Sequence, residues 1–201
     1  VVTLEQSWAG LLPGQDALGA ELLGRWSEPH RRYHDTTHLA EALDALGALG
    51  GTARVERLAI WFHDAVHTGR PGHDETASAE LAAVRLAAAG LGPGEVAEVH
   101  RLVLVTIDHA PARHDPSGAR VSDADIAILG AEPDRYLASV AALREELTAE
   151  RIIDWRTERL VRLAELLSAE PLFHTDAGRR RWHAQALANL TGEQRALLGS
   201  S

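Results

Sequence analysis

Four His-Asp dipeptides, at 34/35, 63/64, 73/74 and 114/115, stand in a chain with 11 histidines and no cysteine. Without thiolates, any bound metal must be held by nitrogen and oxygen, which leaves imidazole and carboxylate as the strong ligands. The dipeptide alone carries little information in so histidine-rich a chain, and context separates the four. His34-Asp35 precedes a helix that Asp35 can cap, while His73-Asp74 and His114-Asp115 lie beside Gly72 and Pro116 in expected loops. Only His63 and Asp64 follow the apolar run Ile60, Trp61, Phe62, where a buried polar pair needs a partner. Neighbouring residues on a helix point about 100° apart, so this imidazole and carboxylate can bracket one ion. One helix cannot complete a coordination sphere, and His38 and Asp125 are the obvious further suppliers. A hydrogen-bonded core pair without a metal is the other reading of the same two residues.

The elements that must position these groups are helical. Leu39, Ala42, Leu43, Leu46 and Leu49 recur at helical spacing behind the capping candidates Asp35, Thr36 and Thr37, and Gly50-Gly51 ends the run, so His38 falls in a first turn. Thr52 can cap the next helix, whose apolar face is Val55, Leu58, Ala59 and Phe62 and which ends by Thr68 to Gly72. His63 and Asp64 then sit near its C-terminal end. A helix from about Asp74 to Ala89 stops at Gly90, and a turn at Gly92 to Gly94 opens another through Thr106, with His109 at its end. Pro111 to Gly118 reads as a loop, Ser122 as the cap of a short helix holding Asp123 and Asp125, and Pro133 as the opening of a further helix. Two more are expected over roughly 149–168 and 176–190.

Composition agrees. Alanine, leucine, glutamate and arginine dominate and β-formers are sparse, so the expected fold is all-α, and 201 residues without repeats or linkers suggest a single domain spanning 1–201. A formal charge of −9 opposes binding to nucleic acid polymers, and no basic stripe offsets it. The apolar runs are far shorter than the roughly 20 residues of a membrane span, so no membrane association is expected. Glu5 and the break at Pro13-Gly14 do not resemble a cleaved signal, which makes the cytoplasm the expected compartment. A homo-oligomer is compatible with the sequence but not required by it.

The order His38, His63-Asp64, Asp125 resembles the H…HD…D signature of the HD-domain superfamily. YHDTTH at 33–38, WFHDAVH at 61–67, TIDH at 106–109, DADIAILG at 123–130 and HAQALANL at 183–190 are similar to blocks of a bacterial subgroup of metal-dependent HD phosphohydrolases, so the resemblance covers most of the chain. It implies a helical bundle of HD type in which His38, His63, Asp64 and Asp125 hold a divalent ion. Asp125 is preferred to Asp123 because the superfamily's last ligand follows a small residue, as Ala124-Asp125-Ile126 does, and Asp123 then helps to cap the helix.

Around this quartet, His34 shares a helical face with His38 and could orient a phosphate or act as an acid, or else be a surface or capping histidine. His109 recurs in the subgroup's pattern and suits phosphate contact or a second metal, whereas His100 reads as helix surface. The subgroup's tyrosine after the HD block is replaced by His67, and its following acidic pair is reduced to Glu75 before Thr76. Glu75 is thus the nearest analogue of an acidic proton-transfer partner, and His67 either adds a ligand or lines the cleft. Arg31, Arg32 and Arg70 could bind phosphate, with a solvated surface role the expectation for each. Trp61 and Phe62 are expected in the core.

The implied function is hydrolysis of a nucleotide or other small phosphorylated metabolite by metal-activated water, with Asp64 positioning the water. Imidazole and carboxylate ligation admits manganese, iron, cobalt, nickel, zinc or magnesium. Two rivals are a di-iron oxidative enzyme on the same scaffold and a non-catalytic metal- or nucleotide-binding regulator. The first needs more ligands, and by spacing His67, His100 and His109 do not form a convincing additional set.

Overall fold

The described residues, 2–150 and 154–199 of a computed structural model, contain helices and turns and no strand. In chain order the helices are α1 (Leu4–Leu11), α2 (Asp16–Trp26), α3 (Thr36–Ala48), α4 (Arg54–Phe62), α5 (His73–Ala88), α6 (Pro93–Leu104), α7 (Pro116–Asp125), α8 (Pro133–Glu150), α9 (Trp155–Ser168), α10 (Asp176–Gly178) and α11 (Ala184–Gly199). Short 3-10 turns follow α6 at Val105–Ile107 and α7 at Ile126–Gly130, and a wider π-type turn at Arg179–His183 joins α10 to α11. No helix among the described residues is long and apolar enough to cross a membrane.

Local chemistry explains most of the boundaries. Asp35 caps α3, its carboxylate accepting the Thr37 and His38 amides at 2.8 and 3.3 Å, so His38 is held in the first turn. Two expected caps are replaced by others. α4 starts after Ala53 rather than Thr52 and has no side-chain cap, its position being set by burial instead. α7 starts six residues before Ser122, at Pro116, whose fixed φ suits a first turn, and its cap is Asp115, which accepts the Gly118 amide at 2.9 Å. Asp123 and Asp125 therefore lie in the last turn of α7, not the first, and Asp123 does not cap it. α9 begins at Trp155; the expected start near 149 belongs to α8, and 151–153 lie outside the described residues.

α4 is the hub. It packs against α1, α3, α5, α6 and α7, and Leu58, Ala59, Ile60, Trp61 and Phe62 are all fully buried, so its end is apolar all round rather than on one face. Anything that follows Phe62 emerges from the middle of the bundle. A main apolar cluster spans α1 to α7, and a second one gathers Ile126, Leu129, Tyr136, Leu163, Phe173 and Leu190; Trp182 packs against both.

At that junction Gly130 meets Trp182. A Cβ on Gly130 would lie 2.4 Å from the Trp182 Cβ and 2.6 Å from its carbonyl oxygen, and backbone cannot swing aside as a side-chain tip can. Gly130→Ala is therefore expected to lower stability by about 2 kcal/mol, within the usual range for overpacking. A melting temperature within 1 °C of wild type, on the scale of roughly 2–4 °C per kcal/mol, would contradict that close approach.

Candidate metal centre

Four side chains from three places in the sequence converge at the end of α4. His38 comes from α3, His63 and Asp64 from the residues following α4, and Asp125 from the last turn of α7. The His38 and His63 Nε2 atoms are 3.1 Å apart. Asp125 Oδ1 lies 3.1 Å from the first and 3.3 Å from the second, and Asp64 Oδ2 lies 3.7 and 3.0 Å from them. Both imidazoles are almost wholly buried, while the two carboxylates keep about 15% of their side-chain surface open.

The donor set fits a cation. His63 Nδ1 lies 2.8 Å from the Ile60 carbonyl, one of the orphan acceptors at the end of α4, and donation there fixes Nε2 as the lone-pair nitrogen of the neutral ring. That lone pair faces another imidazole nitrogen and two anionic oxygens, which is repulsive unless a proton or a cation sits among them. Ligand atoms about 2.0–2.2 Å from one ion, in tetrahedral or octahedral arrangement, are about 2.8–3.6 Å apart, and four of the five spacings fall in that range, His38 to Asp64 at 3.7 Å lying just beyond it. In the ion's absence a proton takes its place. Burial opposes charging His63, but Asp64 and Asp125 outweigh it and raise its pKa well above the ordinary value. Burial would likewise raise Asp125, yet the charge on His63 and the hydrogen bonds from His38 and His63 hold it far below the usual carboxylate range. Metal and proton thus compete for the same atoms.

The surroundings stiffen the centre. Trp26 lies under it, with ring centroids 5.3 Å from His63 and 6.1 Å from His38, and its Nε1 donates to the Trp61 carbonyl at 3.0 Å. Arg31, expected at the surface, is buried: its guanidinium donates to the His34 carbonyl at 3.0 Å and to the Asp64 carbonyl at 2.8 Å. It ties the segment before α3 to the segment after α4, a role that a phosphate-binding or solvated arginine does not have. Arg32 is exposed and pairs with Glu145 at 2.9 Å.

The open side of the centre forms the base of a cleft of about 500 Å³, lined among others by His34, His67, Arg70, Glu75, His109 and Arg162. A larger groove of about 870 Å³ lies between α8 and α11 but contains none of the four converging residues. His34, Glu75 and His109 are all brought to the cleft. Glu75 spends one oxygen on the Gly72 amide at 2.6 Å, capping α5, and burial raises its pKa. His109 Nε2 is 3.9 Å from Asp125 Oδ2, the oxygen turned away from His38 and His63. Its φ of 53° is the only positive one outside glycine among the described residues, a conformation held in place by the His174 ring, 2.7 Å from the His109 carbonyl. His100 is not part of the cleft lining. Trp61 and Phe62 are core residues as expected.

Asp123 is elsewhere. It is fully buried and accepts the His174 amide at 2.7 Å, the Thr175 amide at 2.8 Å and the Thr175 hydroxyl at 2.6 Å, fastening the chain ahead of α10. Sequence reasoning missed Glu146, whose side chain is fully buried beside the cleft. Its Oε2 accepts the amides of Arg32, Tyr33 and His34 at 2.7–3.1 Å, and its Oε1 lies 2.5 Å from His34 Nδ1 and 3.1 Å from His67 Nε2. Nothing local in the sequence marks a glutamate on a mostly charged stretch of α8 as the partner of residues 112 positions earlier. Comparison with family models, with curated proteins and with solved structures returned no match, so the chemistry of this centre rests on its own geometry.

Proposed function

We propose that this chain is a metal-dependent phosphohydrolase of HD type acting on a nucleotide or another small phosphorylated metabolite. The observation that carries the reading is the convergence of His38, His63 and Asp125 within 3.1–3.3 Å of one another, with Asp64 Oδ2 3.0 and 3.7 Å from the two imidazoles, at the base of a cleft whose lining includes Arg70 and Arg162. The four would hold a divalent ion, which supplies Lewis acidity toward a water and a phosphoryl oxygen. The arginines suit a phosphate ester through their paired donors. Asp64, with one edge open to the cleft, orients the attacking water and accepts its proton as the new P–O bond forms.

His34 supplies the proton for the departing oxygen as the old P–O bond breaks. Glu146 engages its Nδ1, which leaves Nε2 to serve the cleft. Burial disfavours the imidazolium, but Asp64 and the hydrogen bond and charge of Glu146 outweigh it, so its pKa is raised, as an acid at neutral pH requires. The test is phosphate release from a panel of phosphomonoesters and nucleotides with each of several divalent ions, before and after chelation. Turnover that survives chelation overturns the proposal. His34→Ala is expected to lower kcat by about 10²–10³-fold, the usual worth of a general acid, while the metal bound through His63 stays in place; an unchanged kcat removes His34 from the mechanism.

A second reading, oxidative chemistry at two irons, draws on the position of His109 beside the outer oxygen of Asp125. Oxygen consumption by iron-loaded protein, lost in His109→Ala, would favour it over hydrolysis.

A further inference from the structure

Beside the quartet stands a second group whose composition exceeds what packing requires. Glu146 is carried on α8, His34 lies before α3 and His67 follows α4, so three separate segments deliver one carboxylate and two imidazoles to one point. Three backbone amides already satisfy Glu146 Oε2 and compensate burial of the carboxylate. They also hold Oε1 toward the two rings, whose centroids are 4.4 Å apart, and one ligand atom from each of the three residues falls within 4.8 Å of the others. Exposure rises from none at Glu146 to 9% at His67 and 22% at His34, so the group is anchored at the carboxylate and open on the imidazole side, toward the cleft.

We infer that His34, His67 and Glu146 form a second divalent-cation site, separate from the quartet, and that filling it silences the enzyme by taking His34 away from proton transfer. Two imidazoles and a glutamate are a donor set that zinc accepts with a coordination position left over. On binding, His34 releases its Nδ1 proton to solvent, keeps the one on Nε2 and gives the Nδ1 lone pair to the ion, while His67 gives the lone pair of Nε2 and holds its proton on Nδ1. The Glu146 oxygen needs no change, because its other oxygen is already held. A ring bound through Nδ1 cannot become imidazolium, and the proton that stays on Nε2 is far less acidic than an imidazolium proton. The inhibitory part rests on the hydrolase reading, whereas the site itself does not.

Metal-free protein titrated with zinc is the test, read first as bound equivalents by elemental analysis. Wild type is expected to bind two, His67→Ala and His67→Phe one each, and His63→Ala to lose the other. With substrate present, turnover should rise with the first equivalent and fall about 100-fold as the second binds, the worth of a lost general acid; the two His67 variants should not show the fall. A wild-type stoichiometry of one, two equivalents retained in both folded His67 variants, or loss of the second equivalent in His109→Ala instead, overturns the site. Two equivalents with no fall in turnover overturns the inhibition. Should His63→Ala keep both ions while the His67 variants lose one, the quartet reading fails and this site stands.

Discussion

Asp125→Asn and Asp123→Asn are expected to fail in opposite ways, although the two residues are separated by a single alanine. Asn at 125 removes the negative charge of a carboxylate whose Oδ1 is within 3.3 Å of both His38 and His63, and with it a ligand of the proposed centre. Turnover should fall by at least about 10³-fold, which corresponds to the several kcal/mol that metal-held charge stabilisation supplies. Asn at 123 places an amide NH₂ where a carboxylate oxygen now accepts, either Oδ1 from the His174 amide or Oδ2 from the Thr175 amide and hydroxyl. A donor then faces donors in a fully buried position, and the expected cost is about 2–4 kcal/mol, or a melting temperature lower by roughly 5–15 °C. Metal content of the folded fraction should be unchanged. Thermal melts and metal analysis on the same two preparations check this; a stable, metal-free Asp123→Asn would move the ligand to Asp123.

His63→Ala is expected to abolish tight binding at the quartet, and Asp64→Ala to do the same. Loss of even an outer-shell partner costs 10–100-fold in metal affinity, so loss of a direct ligand should exceed about 100-fold. The helical fold should persist in both variants. For Asp64 the reason is that Arg31 grips its backbone carbonyl, not its side chain. For His63 the losses are its hydrogen bond to the Ile60 carbonyl, about 1–3 kcal/mol, and its contacts to Asp64 and Asp125, whose carboxylates keep some surface open on the cleft side. Metal retained at the wild-type level in both variants would remove the quartet as a metal centre. A collapse of helical circular dichroism in both would return His63-Asp64 to the role of a structural pair.

The helical character of the chain, the cap at Asp35 and the punctuation at Gly90 and Pro133 are legible in the sequence, because caps, periodicity and breakers act within a few residues of themselves. So is the choice of His63-Asp64 among four dipeptides: only there does an apolar run carry polar groups into the middle of a bundle. The structure brings Asp125, not Asp123, beside His38 and His63, and it gives Asp123 a different task from the expected cap. Asp123 is not a cap of α7; it is the anchor of a segment some 50 residues later, and no local pattern announces such a bond. The same holds for Arg31, expected in a solvated role because arginine is common in this chain but buried because two loops offer carbonyls on either side of it. Glu146 is the extreme case. A glutamate among other charges on a helix is ordinary in sequence, and only the packing of α8 against the loop before α3 strips it of water and surrounds it with three amides and two imidazoles. The sequence by itself determined the helices and restricted any metal ligand to imidazole and carboxylate, since those follow from composition and short-range chemistry; tertiary structure decided which charges are desolvated and which groups share them, since desolvation depends on whatever distant segment closes over the site.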